Sequence, residues 1–137
     1  MASTIPKEVK KAIIDGYLAE TTWKVALFLS TSNCLTQYLY SACTNEVSSS
    51  GTNYTTGGNT VTRKAWGSGS GYVDTSNAYI DANDVSWTNA TLTARYAVVY
   101  ETTTSKIRAI YDFATDKTVT AGTFTLVWNS GGLVKIS

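Results

Sequence analysis

The tightest group of acidic side chains in the sequence is Asp81-Ala82-Asn83-Asp84. Carboxylate and amide oxygens bind Ca²⁺, so this group is the first candidate for a metal site. It lacks the spaced ligands and the closing Glu of an EF-hand loop. Asp and Asn also cap backbone amides in turns between strands, which accounts for the same four residues. The sequence therefore favours a turn here and predicts no metal site.

The other residue types that support catalysis are absent or poorly placed. The chain contains no histidine, which excludes Ser-His and Cys-His pairs and every His-bound metal. Arg95 and Arg108 lie among apolar neighbours in predicted strands, where ion pairs across strands or subunits explain them better than an oxyanion site. The glycine-rich segment 67–71 does not lie between a strand and a helix, as a phosphate-binding loop must. We therefore expect no enzyme, no catalytic residue and no cofactor.

Cys34 and Cys43 lie nine residues apart, a spacing that matches no zinc or redox motif. The sequence leaves several states open: buried thiols, half-exposed loop residues, an internal disulfide, or a covalent link to a partner outside the cell. The N-terminal segment lacks the order of a secretory signal peptide, so we expect synthesis in a cytoplasm. A cytoplasm disfavours the disulfide.

The composition limits the class of protein. The chain has 137 residues, 15% of them charged, and its 11 basic and 10 acidic side chains leave a net charge of +1. So small a charge gives no electrostatic reason to bind nucleic acid or an anionic membrane. No apolar run reaches the roughly 18 residues that span a bilayer. The 23 threonines are typical of half-buried strands, so we expect one mainly-β protein.

Residues 1–18 are predicted to form a short amphipathic helix. Ser3 and Thr4 are placed to cap its start, Pro6 suits the first turn, and Gly16 is a natural end. Five apolar residues recur at intervals of three and four, opposite the charged residues: Ile5, Val9, Ala12, Ile13 and Tyr17. This stripe must cover the protein's own β domain or another subunit. It is the candidate attachment or trimerisation face.

Residues 19–137 are predicted to form a single antiparallel β-sandwich or jelly-roll-like domain of about eight short strands. The first strand begins at Trp23 and has one buried face, and segment 34–43 fits a helical turn or a bent strand. The clearest hairpin pairs 91–100 with 106–113, and four residues of its second strand share one face: Ile107, Ala109, Tyr111 and Phe113. Further strands are expected at 59–66, 72–74, 78–82, 85–87, 123–128 and 133–136.

Aromatic side chains are the second candidate for a surface contact. Four Trp and nine Tyr are many for a chain of this length, and exposed aromatic rings stack on sugars or anchor interfaces. Most of them fall on the predicted inward face of a strand and are assigned to the core. Four lie in or beside loops and are the candidates for a surface contact: Tyr54, Trp66, Tyr72 and Tyr79.

Seven segments in order along the chain carry a resemblance: MASTIPKEVKKAIIDG at 1–16, TWKVAL at 22–27, NEV at 45–47, GTNYTTGGNT at 51–60, VSWTNATLTARYAVVY at 85–100, YDF at 111–113 and TVTAGTFTLVW at 118–128. Together they resemble a family of small structural proteins of tailed-bacteriophage virions. The resemblance fails at 34–43, where family members carry an acidic segment without these cysteines. No role for Cys34 or Cys43 follows from it.

The resemblance implies a structural protein of the virion, without catalysis or cofactor. One form is a capsid decoration (cement) protein, a homotrimer that binds the major capsid protein through its N-terminal segment and lower loops. The other is a tail-fibre or receptor-binding subunit, attached to a baseplate protein by the helix or a cysteine and contacting host surface glycan through aromatic loops. A small glycan-active enzyme that uses carboxylates is the alternative outside the family. The expected location is the virion, assembled from protein made in the host cytoplasm.

Overall fold

The computed structural model describes residues 5–64, 72–73, 78–128 and 133–136. These residues are mainly β with one α-helix, which confirms the predicted fold class at that level. The elements in chain order are α1 Lys7–Leu18, β1 Trp23–Phe28, β2 Asn59–Val61, β3 Arg63–Lys64, β4 Tyr72–Val73, β5 Ala78–Ala82, β6 Val85–Glu101, β7 Ile107–Leu126 and β8 Val134–Ile136. Short 3₁₀ helices span Cys34–Thr36 and Tyr40–Ala42, so the structure has the helical turn, one of the two alternatives for segment 34–43.

The chain divides into two compact units. One draws on Met1–Glu20, Thr62–Asn83 and Trp128–Ser137, and the other on Thr21–Val61 and Asp84–Val127. We call them the helix unit and the sheet unit. The predicted division into residues 1–18 and 19–137 stays a prediction.

The sheet unit is built on a four-stranded antiparallel sheet in the order β2-β1-β6-β7. Trp23, Val25 and Leu27 of β1 point to one face, as their alternation predicted, and all three are buried. Ala26 and Phe28 on the opposite face are buried as well, so the prediction of a single buried face was wrong. Segment 34–43 folds over that second face and excludes water from it, and the cluster there contains Cys34, Tyr96, Val98 and Tyr100.

The hairpin of β6 and β7 is longer than predicted. The expected pairing of 91–100 with 106–113 is present. However, 85–87 continues into 91–100, and 106–113 continues through to 126, so four predicted strands form two. Bulges interrupt the alternation where these segments meet, and Asn89, Ala114 and Ala121 have positive φ there. Such interruptions resemble strand ends in a sequence pattern although the backbone ladder continues.

One bulge also changes the predicted face of Ile107. Tyr100 pairs with Ile107 but its neighbour Val99 pairs with Ala109, so one residue of β7 has no counterpart on β6. Ile107 therefore packs with Ile110 on the second face of the sheet, whereas Ala109 lies beside Val99 on the other face. The predicted common face was wrong because an extra residue reverses the alternation of a strand.

The helix unit contains α1 and a small antiparallel sheet in which β5 pairs with β3, β4 and β8. Strands are present within the predicted segments 72–74, 78–82 and 133–136, of which residue 74 lies outside the described residues. The strand predicted at 59–66 is instead two short strands in different sheets, β2 and β3, which separate at Thr62. Asn83 follows β5 directly, and its N–H donates to the carbonyl of Thr62 at 3.0 Å.

Candidate attachment surface

Helix α1 starts from the carbonyl of Pro6. The N–H groups of Val9 and Lys10 donate to it at 3.0 and 3.2 Å. The predicted caps, Ser3 and Thr4, lie outside the described residues. Gly16 lies inside the helix rather than at its end, because intrahelical bonding continues and Ala19 N–H still donates to Asp15 O at 3.1 Å. The helix therefore ends at Leu18, the last residue of the predicted helical segment.

The inner face of α1 packs against β5 and β4. Ile14 is fully buried, Lys10 is buried, and Tyr17 and Leu18 are half-buried. These positions follow one another at steps of four, three and one, so they occupy one side of the helix. The residues that hold the helix to its own unit are therefore mostly different from the predicted stripe.

The outer face of α1 consists of Val9, Ala12, Ile13 and Gly16, and Ile5 lies just before it, two residues ahead of the helix; all five residues are exposed. The exposed fraction is 49% for Ile5, 47% for Val9 and 37% for Ile13. A Cβ on Gly16 would meet no atom within 4 Å, so the backbone is open to close approach at that turn. Four of the five predicted attachment residues are thus exposed. The fifth, Tyr17, lies half-buried on the inner side.

Arg63 holds the end of α1 in place from β3. Its guanidinium donates to the backbone carbonyls of Tyr17 and Glu20, the latter at 2.8 Å. A cation at this end also interacts favourably with the helix dipole. On the helix itself, Lys11 and Asp15 form an i,i+4 ion pair at 2.5 Å. The outer face is therefore presented by a helix fixed at both its inner side and its C-terminus.

Tyr54 is not a surface residue, and its predicted role in a surface contact was wrong. Its side chain is buried, its hydroxyl accepts a hydrogen bond from Leu27 N–H at 2.9 Å, and its ring lies 6.0 Å from that of Trp87. Burial raises the pKa of the Tyr54 hydroxyl above its usual range. Its loop lies close to β1 because Gly58 packs against Val25, where a Cβ would come within 1.8 Å of the carbonyl oxygen.

Of the other three predicted aromatic contacts, two lie opposite each other in neighbouring strands. Trp66 lies outside the described residues. Tyr72 of β4 pairs with Tyr79 of β5, whose side chain is half-buried. A surface role for these two stays a prediction.

A second exposed apolar surface was not identified from the sequence. We call it the Leu35–Tyr38 patch: Leu35 is 56% exposed and Tyr38 is 78% exposed. The backbone beneath it is fixed, since Tyr38 O accepts from Ile107 N–H at 2.9 Å and Tyr40 N–H donates to Ser105 O at 2.8 Å. The segment has neither a helical nor a strand period, so no sequence signal separated its inward from its outward residues.

Glu46 organises the loops over the second face of the sheet. Its carboxylate accepts from the Tyr40 hydroxyl at 2.5 Å and from Gly57 N–H at 2.8 Å. Tyr100 donates to Gly57 O at 2.7 Å, and its ring stacks on Tyr40 with centroids 4.0 Å apart. Burial raises the pKa of the Tyr100 hydroxyl to about 12. Burial also raises the pKa of the Tyr40 hydroxyl, and the hydrogen bond to Glu46 raises it further. Because each carboxylate oxygen already accepts a hydrogen bond, this group serves as a structural link.

Cys34 is buried and Cys43 half-buried, and both are free thiols. Burial raises the pKa of each, that of Cys43 to about 11. An oxidised form stays a prediction. In the described part of the chain, no three His, Cys, Asp or Glu side chains are placed to hold a metal ion, and Asp81 caps the N–H of Ala82 at 2.8 Å.

Searches against family models, curated proteins and solved structures found no match to the chain. The helix in the described residues is too short and too polar to cross a membrane.

Proposed function

We propose that this chain is a non-enzymatic structural protein of a tailed-phage virion, displayed on the particle surface as a capsid decoration protein that binds the major capsid protein. The observation that carries the proposal is the exposed outer face of α1. The segment resemblance set out above supplies the class of particle. The proposal keeps the predicted sandwich or jelly-roll-like arrangement and the predicted homotrimer.

The outer face has the chemistry of an attachment surface. Val9 and Ile13 project from a helix whose inner side is already packed, and the exposed Ile5 lies just before the helix. Covering the exposed half of each side chain is worth about 1 kcal/mol. Ala12 and Gly16 lie beside them on the outer face and leave room for a neighbouring backbone. A partner with an apolar groove would therefore gain affinity without rearranging the fold.

The Leu35–Tyr38 patch favours a second candidate, a tail-fibre or receptor-binding subunit attached to a baseplate protein. Tyr38 is the most exposed of the large apolar and aromatic side chains in the described residues, and an exposed tyrosine ring stacks on sugars. In this alternative the contact with host glycan passes through Tyr38 rather than Tyr54, and α1 provides the anchor.

The number of copies per particle separates the two candidates. Gel densitometry of purified virions, calibrated against the major capsid protein, is expected to give hundreds of copies of the chain. A dozen to a few dozen copies would exclude decoration and support the fibre. Absence of the chain from purified particles would exclude both.

Sedimentation of the purified protein tests the trimer. At micromolar concentration we expect a species of three times the chain mass of 14.7 kDa. A single species of one chain mass would contradict the homotrimer and leave attachment as the only role of the outer face.

A further inference from the structure

The segment that carries the two cysteines leaves and returns to the sheet as a closed antiparallel loop. Leu29 N–H donates to Asn45 O, and Val47 N–H donates to Leu27 O, both at 2.9 Å. Phe28 and Glu46 form an isolated antiparallel bridge between these two bonds. The two arms of the loop therefore run side by side toward residues 33 and 44.

Asn33 joins the two arms at the entrance to the loop. Its N–H donates to Thr44 Oγ1 at 3.3 Å, and its side-chain oxygen accepts from Thr44 N–H at 2.8 Å. Its side-chain amide also donates to Ala42 O at 3.2 Å. Cys34 is the next residue inward on one arm and Cys43 the next inward on the other. Because Asn33 and Thr44 are held together by these hydrogen bonds, the backbones of the adjoining Cys34 and Cys43 also lie close together.

Both cysteines also belong to one apolar cluster. Cys34 lies fully buried within it, beside Phe28 and Tyr100, and Cys43 packs against the same cluster with Tyr40. After burial, the charge of Cys34 is the next cause that raises the pKa of Cys43. Electrostatic influence of one thiol on the other agrees with their placement across the loop.

We propose that Cys34 and Cys43 are a redox-sensitive pair that forms an intramolecular disulfide when the folded protein meets a low-molecular-weight disulfide. Oxidised glutathione is one such reagent. One sulfur–sulfur bond forms in the protein and one breaks in the reagent. Two electrons pass to glutathione, and the two thiol protons end on the two glutathione thiols that are released.

The difference in burial sets the order of the two steps. Cys43 is half-buried and meets the oxidant first, as a mixed disulfide with one glutathione, and the first glutathione thiol leaves. The Cys34 sulfur then attacks the Cys43 sulfur and displaces the second glutathione. Burial keeps both thiols mostly protonated near neutral pH, so the exchange is slow. A reducing cytoplasm holds the pair as thiols, whereas an extracellular environment favours the bond.

Closing the bond would fix the loop that carries the Leu35–Tyr38 patch. Leu35 and Tyr38 lie between the two cysteines, and the bond would add a covalent closure beside the three hydrogen bonds of Asn33. The patch would then keep its conformation outside the cell without depending on those hydrogen bonds.

The test incubates the folded full-length protein with oxidised glutathione at pH 8 and follows free thiols and intact mass. We expect both thiols to disappear, with a mass lower by two hydrogen atoms and no added glutathione. Chymotrypsin cleaves within 34–43, so the two cysteine peptides are expected to stay linked until a reductant is added. The thermal unfolding midpoint should be higher in the oxidised form and return with dithiothreitol.

Single-cysteine variants supply matched controls. Cys34→Ser is expected to stop at one glutathione adduct on Cys43, and Cys43→Ser to remain unmodified because Cys34 is buried. Circular dichroism establishes that each variant is folded. One result with the wild type is enough to overturn the proposal: the folded protein keeps both thiols while the urea-unfolded chain is oxidised under the same conditions. Accumulation of a stable adduct or a covalent dimer in place of the internal bond would overturn it equally.

Discussion

The outer face of α1 and the Leu35–Tyr38 patch both expose apolar side chains, but different interactions hold them in place. The outer face belongs to a regular helix that packs through Ile14 and is held at its end by Arg63. The patch belongs to an irregular loop, fixed by backbone and side-chain hydrogen bonds around Asn33 and Glu46. Apolar packing tolerates changes on the far side of a helix, whereas a loop held by individual polar contacts depends on each of them.

The same contrast applies to the loop that buries Tyr54. It has no regular structure between Val47 and β2, and it approaches β1 at Gly58. Backbone contact there decides that Tyr54 lies inside. Substitutions that disturb such a contact should therefore have larger effects on stability than substitutions on the outer face of α1.

The largest effect is expected for Gly58→Ala. Gly58 has φ of +79°, and a Cβ would lie 1.8 Å from the carbonyl oxygen of Val25, so the loop must move away from the strand. We expect the free energy of unfolding to fall by more than about 3 kcal/mol, a size typical of overpacking combined with backbone strain. Urea unfolding followed by tryptophan fluorescence measures it.

Gly51→Ala is the matched control. Gly51 has a similar φ of +72°, but no atom lies within 4 Å of the position that an alanine Cβ would take. Only the backbone strain of a left-handed residue is added, at a cost of about 1 kcal/mol. Equal losses of unfolding free energy in the two variants would show that the contact with Val25 is not what holds the loop.

The next effect concerns association rather than folding. Val9→Asp places a charge in the centre of the outer face, where burial of an unpaired carboxylate opposes binding. We expect binding to particles that lack the chain to weaken at least a hundredfold, about 2.7 kcal/mol. Stability should change by no more than about 0.5 kcal/mol, since Val9 is exposed and an acid near a helix start is favourable.

Val127→Asp is the control for this variant. Val127 is 72% exposed and belongs to the sheet unit, so the same charge is added to an exposed residue that is not part of α1. Rebinding of both variants is measured by cosedimentation with particles. Wild-type binding by Val9→Asp would remove the outer face as the attachment surface, and loss of the trimer in this variant alone would assign the face to self-association.

Glu101 gives a pH test of a segment held by polar contacts. Its carboxylate accepts from Thr21 Oγ1 at 2.5 Å, from the N–H groups of Thr103 and Thr104, and from Thr104 Oγ1. These hydrogen bonds, that from Thr104 first, hold the pKa of Glu101 well below its usual range. As the pH falls, Glu101 is therefore protonated in the unfolded chain, at about pH 4.3, before it is protonated in the folded protein.

The stabilisation by Glu101 is consequently complete above that pH and is lost as the pH falls toward the folded-state pKa. We expect Glu101→Gln to be less stable than the wild type at pH 7, with the difference in urea midpoint narrowing between about pH 5 and pH 2. Glu8→Gln removes an exposed charge on α1 and is the control for net charge. A constant difference across this range would show that the carboxylate charge is not what the turn requires.

The periodic parts of the fold could be predicted from the sequence. The N-terminal helix, the buried side chains of β1 and the pairing of β6 with β7 follow from regular alternation. The exposed face of α1 could not be predicted, because both sides of the helix carry apolar residues and only the packing of Ile14 decides between them. Periodicity identifies an apolar face but does not say which neighbour covers it.

The irregular parts depended on contacts between residues far apart in the chain. The close approach of Gly58 to Val25 buries Tyr54, and the link from Glu46 to Gly57 joins two loops. Neither leaves a local pattern in the sequence. The bulges at Ala114 and Ala121 broke the alternation of β7 and so made one strand resemble two.

The smallest predicted effect tests such a bulge. Ala121 has φ of +47° within β7 and an exposed side chain, and its N–H donates to Thr91 Oγ1 at 3.0 Å. Ala121→Gly keeps that hydrogen bond and removes the conformational cost of an alanine at positive φ. Because this cost exceeds the entropic cost of a glycine in the unfolded chain, we expect the free energy of unfolding to rise by about 0.5 kcal/mol. In Ala109→Gly, a change in the same strand at ordinary φ, the free energy of unfolding should instead fall by about 1 kcal/mol. A loss of stability in both variants would mean that the bulge stores no strain, and that the long hairpin is held as firmly at its interruptions as along its regular ladder.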